Sequence, residues 1–120
     1  MEVVGESRRQ DALWRIAGSR EPVDGRAQPI RAQIRRERDN PADPHAVAVW
    51  AMAKDTAKPL HVGYLPRGSE YRKPLDRLEE QGFGAIRCDA YLIGGFQTEE
   101  GRTASLGVEL MLPSPNELAS

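Results

Sequence analysis

The sequence predicts a mainly β fold of the α+β class, a small OB-like or SH3-like antiparallel β-barrel of about six strands with two short helices. The 120 residues, of which 39% are apolar and 29% charged, suit one compact domain. Several short segments are apolar or alternating and have strand length. Only two segments have helical spacing, too few to cover a parallel sheet, so we expect a strongly bent antiparallel sheet with the helices as plugs.

The N-terminal part predicts one strand and one helix. Glu2–Val4 is a short strand candidate that runs into a glycine. Ser7 and Gln10 have the spacing of a capping box, and Gly18 has the position of a C-terminal helix stop. Between them, apolar residues at helical spacing predict the first helix: Ala12, Leu13, Ile16 and Ala17.

Three strands are predicted in the middle of the chain. Ile30–Arg35 alternates apolar residues with arginine and glutamine, which predicts a strand with one basic, solvent-facing side. Ala46–Met52 is a nearly continuous apolar run of strand length. Lys54–Pro59 has the composition of a turn, and Leu60–Leu65 predicts the next strand, which Pro66 ends because proline cannot donate to a ladder.

The remaining elements are a second helix and two further strands. The helix is predicted over Ser69–Gln81, with Pro74 in its first turn and Gly82 as its stop. Ala85–Ile93 and Thr103–Leu112 alternate apolar residues in strict period two, which predicts strands with one buried face. Residues 1–113 should form the domain, and residues 114–120 a tail.

Several classes of protein find no support in the composition. No apolar run approaches the roughly 20 residues of a membrane-spanning helix, and the N-terminus lacks the apolar core of a signal peptide, so we expect a cytoplasmic protein. Cys88 is the one cysteine and is expected to be a buried core residue. Asp43 and His45 are two residues apart, but two ligands without a third do not predict a metal site. No arrangement of catalytic residues appears, so neither an enzyme nor a cofactor is predicted.

Several aromatic and glycine residues can be interpreted either as structural or as ligand-binding residues. Trp14 and Trp50 are expected to pack in the core or at its rim, with base stacking as the alternative. Tyr91 lies on the polar face of its strand and should be exposed. Gly63, Gly94 and Gly95 are interpreted as bends or bulges of a curled sheet, which their spacing favours over a phosphate-binding loop.

Charge is distributed unevenly along the chain, although the net charge is only −1. Residues 8–39 contain nine arginines and five acidic residues, whereas residues 88–120 contain one arginine and five acidic residues. Arginine outnumbers lysine by 14 to 3. Because guanidinium groups suit bidentate phosphate contacts, this pattern is compatible with a nucleic-acid partner. Codon bias combined with solvated basic faces is the alternative explanation.

The sequence DNPADP, residues 39–44, predicts a stiff polar corner directly before a strand. Asn40 and Asp43 each precede a proline and are therefore restricted to extended conformations. Asp39, Asn40 and Asp43 can accept hydrogen bonds from nearby backbone amides. Such a corner can serve only to reverse the chain, or it can present polar groups to a ligand.

Five motifs occur in an order that resembles the HIRAN domain over nearly the full chain: VVGES, RDNPADPHAVAVW, HVGYLPR, CDAYLIGG and LGVELMLP. In that family the domain is a small OB-like barrel, found in SWI/SNF-type DNA translocases and as a stand-alone bacterial protein. The resemblance implies binding of the free 3′-hydroxyl end of single-stranded DNA in repair or fork processing. It also implies a DNA translocase or nuclease as a partner and an association with the nucleoid.

The resemblance further implies which residues contact DNA. In DNA-binding relatives the Asn-Pro-x-Asp corner forms one wall of the pocket, and its Asp accepts a hydrogen bond from the terminal 3′-hydroxyl. Asp43 occupies that position. Asn40 matches the asparagine that contacts the terminal nucleotide. Arg67 falls near a basic position that contacts phosphate, and Phe96 matches a wall residue.

The chain departs from the DNA-binding relatives at three stacking positions. Arg8, Arg9 and Ala42 stand where those relatives have aromatic residues. The two arginines can stack on bases and neutralise phosphates, whereas alanine offers no base-sized surface. A protein-interaction adaptor that kept the fold and lost the ligand is therefore the alternative function. A concave patch around Asp43 flanked by arginines, Arg35 among them, would favour DNA, and a flat apolar patch would favour the adaptor.

Overall fold

A computed structural model describes residues 1–5, 9–17, 28–52, 58–94 and 106–114. Five antiparallel strands form a curled half-barrel with two short helices, which confirms the predicted mainly β, α+β fold. The elements in chain order are α1 (Gln10–Ala17), β1 (Gln28–Arg36), β2 (Val47–Met52), β3 (Pro59–Tyr64), α2 (Arg72–Glu80), β4 (Ile86–Gly94) and β5 (Leu106–Met111).

The strands lie in the order β3-β2-β1-β4-β5, with every neighbouring pair antiparallel. Ala32 in the central strand is opposite Ala51 of β2 and Cys88 of β4. These three residues are on the concave face, where the period-two alternation of the sequence places its apolar side chains. The buried core therefore follows the predicted pattern, and Ile34, Val49 and Val62 at its centre are 0% exposed.

The predicted first strand connects the two edges of the sheet. It forms isolated bridges, with Glu2 opposite Glu109 of β5 and Val4 opposite Tyr64 of β3. The Val4 amide donates to the Tyr64 carbonyl at 2.8 Å, and the Tyr64 amide donates back to the Val4 carbonyl at 2.9 Å. Because β3 and β5 are the sheet edges, this segment covers both of them and supports the curl. Five ladder strands plus this segment account for the six predicted.

A β-bulge lies where the N-terminal segment crosses β3. Val49 is opposite Gly63, whereas the next residue, Trp50, is opposite His61, so Val62 is the extra residue of β3. Gly63 lies directly against the N-terminal segment, which confirms that this glycine marks a bulge. Gly94 ends β4 with a left-handed φ of 88°. Gly95 lies outside the described residues.

The two helices pack on different parts of the sheet. Helix α1 packs against β3 and β5, with Leu13 buried. The Gln10 side chain makes two hydrogen bonds with the backbone of Leu106 in β5, at 2.9 and 3.0 Å. Ser7, the other half of the predicted capping box, lies outside the described residues, as does the predicted stop Gly18.

Helix α2 begins three residues later than predicted, at Arg72, because Glu70 has a left-handed φ, and it ends one residue before the predicted Gln81. Pro74 lies in its first turn and is buried. Gly82 follows its last turn with φ 91°, and the Gly82 amide donates to the Glu79 carbonyl at 3.0 Å. Ion pairs of Arg36 and Arg38 with Asp76 connect the helix to the sheet. The helix is thereby positioned beside the DNPADP corner.

Predictions for single side chains are also tested by the fold. Cys88 is buried, as predicted, and burial raises the pKa of its thiol to about 11, so the thiol stays protonated at neutral pH. Trp14 packs against the core and Tyr91 is exposed, which confirms both predictions. Within the described ranges, no helix is long and apolar enough to cross a membrane. The predicted turn over residues 54–59 and the predicted tail over residues 114–120 fall largely outside those ranges, and Pro59, the last residue of the predicted turn, begins β3.

Candidate functional site

The DNPADP corner is stabilised by its own side chains. The Asn40 Oδ1 atom accepts hydrogen bonds from the amides of Ala42 and Asp43, at 2.9 and 3.1 Å. Its Nδ2 atom donates to Oε1 of Glu37 at 3.0 Å. The Asp43 Oδ1 atom accepts the amide of His45 at 3.0 Å. Asn40 thus shapes the corner that presents Asp43, as expected for Asx residues that bond the backbone two residues later.

Asp43 lies opposite a basic residue from the connection between β3 and α2. Its Oδ2 atom is 3.7 Å from Nε of Arg67, whose side chain is 88% exposed. The Asp43 side chain is only 27% exposed. A carboxylate accepts hydrogen bonds and an arginine donates them, so the pair offers both functions to a polar ligand. Because Arg67 is so exposed, it can leave Asp43 for a phosphate at little cost.

A groove of about 980 Å³ extends between the corner, the end of β3 and the start of α2. Its volume is in the range of ligand-binding pockets. Tyr64 and the exposed side of Val4 contribute to its walls, and Arg72 and Lys73 lie at its α2 end. The N-terminal segment that covers the sheet edges therefore also forms one wall of the groove.

The loop from Arg67 to α2 has a strained backbone. Gly68 and Glu70 both have left-handed φ angles, of 81° and 67°. This conformation costs a residue other than glycine about 1–2 kcal/mol. Strain of this kind is concentrated at functional sites, and both Gly68 and Glu70 line the groove.

Tyr64 connects the groove to the interior of the corner. Its hydroxyl donates to Oε1 of Glu37 at 2.9 Å, the same oxygen that accepts from Asn40. Burial and then the Glu37 hydrogen bond raise the pKa of Tyr64, while the positive charge of Arg9 acts in the opposite direction. The phenol therefore keeps its proton at neutral pH, and Arg9 lies near Tyr64 at the edge of the groove.

A smaller cavity of about 480 Å³ adjoins the groove and shares Asn40 and Tyr64 with it. It is on the outer face of the sheet, where Trp50 is half-buried. The Trp50 and His61 rings stack with centroids 5.0 Å apart and an interplanar angle of 26°. The guanidinium carbon of Arg35 is 5.4 Å from the centroid of the Trp50 ring. Trp50 is thus at the rim, as predicted.

His61 should make the stability of the protein depend on pH. Burial and then the positive charge of Arg9 lower the pKa of His61 below 6.5. As pH falls through about 6.5, the unfolded chain takes up a proton before the folded chain does, so stability is lost. We expect His61→Gln to lose less stability than the wild type between pH 7.5 and 5.5, measured by urea unfolding. His45→Gln, on the exposed corner, is the matched control, and an unchanged pH dependence in His61→Gln would contradict this cause.

The structure brings three of the six predicted site residues into one groove. Asn40, Asp43 and Arg67 line it, and Arg9 approaches its Tyr64 edge. Arg8 and Phe96 lie outside the described residues. The side-chain amide of Asn40 makes hydrogen bonds within the corner and so stabilises its shape. The predicted contact of Asn40 with a nucleotide would be a second role.

Other groove residues were missed by the sequence analysis. Tyr64 is part of the HVGYLPR motif, but nothing in that motif indicates that it lines a groove, and Arg72 and Lys73 are ordinary positions of the predicted second helix. No sequence pattern identifies Glu37, because its role depends on Asn40 and Tyr64 both donating hydrogen bonds to its carboxylate.

Over the part of the chain that the structure describes, no group of three or more histidine, cysteine or acidic residues could hold a metal ion. No family model matches the sequence, and no curated protein and no solved structure is significantly similar to it.

Proposed function

We propose that this chain is a non-catalytic module that captures single-stranded DNA by its free 3′-hydroxyl end in the groove beside Asp43. The observation that supports this most is the pairing of Asp43 with Arg67, from two separate connections, at the wall of a groove of about 980 Å³. In the same proposal, the protein acts in the cytoplasm on nucleoid DNA, in repair or fork processing, beside a DNA translocase or nuclease.

The groove contains the chemistry that a DNA end requires. A terminal 3′-hydroxyl is a hydrogen-bond donor, and the ionised Asp43 carboxylate can only accept. Arg67, Arg72 and Lys73 line the same groove and supply positive charge for the phosphates that follow the end nucleotide. The acceptor and the cations therefore line the same groove, as binding of a strand end would need.

The stacking surface of the groove differs from that expected for the DNA-binding HIRAN domains that the sequence resembles. Ala42 is exposed and offers no ring, whereas Tyr64 lines the groove and is half-buried. One ring can stack one base, at roughly 1–3 kcal/mol. We therefore expect weaker binding than in a module with several rings, and a larger share of the affinity from phosphate contacts.

The chemistry of the 3′ end is expected to decide affinity. A 3′-phosphate places negative charge next to the partly buried Asp43 carboxylate and replaces the donated hydrogen bond. Losing a hydrogen bond to a charged group costs roughly 1.5–3 kcal/mol, so a 3′-phosphate should weaken binding about ten- to a hundredfold. A 5′-phosphate should change little. Fluorescence anisotropy with 5′-labelled oligonucleotides measures these affinities, and RNA and double-stranded DNA of the same sequence complete the series.

Asp43→Asn tests whether this carboxylate is responsible. The variant keeps the shape of the corner but removes the charge, so it should weaken hydroxyl-ended DNA and narrow the gap between the two 3′ ends. Asp89→Asn, on an exposed strand position outside both cavities, is the matched control. Equal affinity of the wild type for circular and linear single-stranded DNA would contradict end capture.

The adaptor alternative predicts a different surface around Asp43. It requires a flat apolar patch, whereas the surface is a groove that Arg67 lines. This difference favours DNA over a protein partner. Arg35, which was expected to flank the groove, lies over the Trp50 ring and is not part of the groove lining. If no oligonucleotide in the series binds, the adaptor function would be favoured instead.

A further inference from the structure

The outer face of the sheet carries a row of rings that begins at the proposed end-binding groove. Tyr64 lines that groove, and its ring contacts His61 edge to face with centroids 4.9 Å apart. His61 in turn stacks on Trp50 at 5.0 Å. The row crosses from β3 to β2, and Tyr64 and Asn40 line both the groove and the smaller cavity beside Trp50. A strand that leaves the groove past Tyr64 therefore enters the smaller cavity that Trp50 lines.

His61 presents a neutral ring to this row at neutral pH. Burial and the charge of Arg9 lower its pKa, and its Nε2 atom is 2.9 Å from the carbonyl oxygen of Gly63. A carbonyl can only accept, so Nε2 carries the proton and donates. The ring is thereby held in place under Trp50. The charge of Glu37 acts on the pKa of His61 in the opposite direction, and this carboxylate already accepts hydrogen bonds from Asn40 and Tyr64.

The other side of Trp50 is covered by a cation that can leave. Arg35 is 5.4 Å from the ring centroid, a contact that is worth about two- to fivefold in an equilibrium when it is exposed. Stacking of a base on an aromatic ring is worth about fivefold to more than a hundredfold. A base can therefore displace Arg35 from the ring. The released guanidinium is then free to pair with a phosphate of the same strand.

We propose that the Trp50 face is a second subsite for single-stranded DNA, which stacks a base located 5′ of the end nucleotide while Arg35 moves from the ring to a phosphate. This inference rests on the proposed end capture, because the groove fixes where the strand starts. The subsite also offers a place for the base stacking that Ala42 cannot provide at the corner.

The test compares 3′-hydroxyl oligonucleotides of two and six nucleotides in competition anisotropy. Trp50→Leu should weaken the hexanucleotide about five- to a hundredfold and leave the dinucleotide unchanged, because only the longer strand reaches the outer face. Trp50→Phe should restore most of this affinity, which separates stacking from any defect in folding. Tyr91→Leu removes an exposed ring outside both cavities and is the matched control.

Two further readouts complete the experiment. Arg35→Gln should lower the salt dependence of hexanucleotide binding by about 0.7 in log-log slope, the value for one phosphate contact on a single strand. Hexanucleotide affinity in Trp50→Leu equal to that in Tyr91→Leu would overturn the subsite and leave end capture intact. If Trp50→Leu weakens the hexanucleotide but the wild type does not discriminate 3′-hydroxyl from 3′-phosphate, end capture is the part that is wrong.

Discussion

Gly63→Ala is expected to lower the free energy of unfolding by about 3–5 kcal/mol, the largest effect of any single change considered for this fold. A Cβ atom at this position would lie 2.5 Å from Cγ1 of Val3 and 2.5 Å from the carbonyl oxygen of Val4. The second contact is with backbone, which cannot rotate away. The N-terminal segment would have to leave β3, which breaks both hydrogen bonds between Val4 and Tyr64 and exposes Val3, now 2% exposed.

Urea unfolding of Gly63→Ala, followed by circular dichroism, measures this effect. Gly84→Ala is the matched control, because a Cβ atom there meets no atom within 4 Å, and we expect it to change stability by less than about 1 kcal/mol. Equal unfolding midpoints for the two variants would show that the N-terminal segment does not lie against β3. Because Val4 also lines the groove, Gly63→Ala should weaken binding of DNA as well.

Asp76→Asn is expected to lower the free energy of unfolding by about 2–3 kcal/mol. The Arg36 side chain is 4% exposed, and its Nη1 atom donates to Oδ1 of Asp76. Removing one partner of a buried ion pair leaves the other charge uncompensated, at roughly 3–5 kcal/mol. The expected effect is smaller here because Asp76 is 37% exposed and asparagine can still accept a hydrogen bond. Arg38, which donates to the same oxygen at 2.8 Å, loses a partner too.

Asp89→Asn is the control for the Asp76 prediction. It breaks the Arg31–Asp89 pair, which is equally short at 2.8 Å but has side chains 70% and 71% exposed. Solvent screens such a pair, so the expected loss is about 0–1 kcal/mol. Thermal unfolding of both variants at one pH and salt concentration compares them directly. Similar losses of unfolding free energy in the two variants would mean that the burial of Arg36 does not increase the contribution of the Arg36–Asp76 pair to stability.

The secondary structure was predictable because its signals are local. Period-two alternation identified β1, β4 and β5, since one face of each strand is buried. Proline and glycine marked the ends of β3 and α2 for backbone reasons that need no tertiary context. The prediction of six strands included Glu2–Val4 as an ordinary strand. The sequence does not show that this segment pairs with two opposite edges of the sheet.

The candidate site was predictable in part. The two prolines and the Asx residues of DNPADP are enough to indicate a rigid corner, and Asp43 is indeed held there by its bond to the His45 amide. The basic lining residues of the groove come from the loop and helix after β3: Arg67, Arg72 and Lys73. The ion pairs Arg36–Asp76 and Arg38–Asp76 hold this helix close to the corner. The spacing of residues in the sequence does not predict these pairs.

The sequence by itself determined the strands, the helices, the inward faces and the stiff corner, because each depends on backbone preferences and side-chain periodicity within about ten residues. Only the tertiary structure decided that the N-terminal segment covers both sheet edges, that Asp43 meets Arg67, and that Trp50 lies under Arg35 beside His61. These contacts join residues far apart in the chain. They are set by how the whole sheet curls and by which side chains fill the space that the curl leaves.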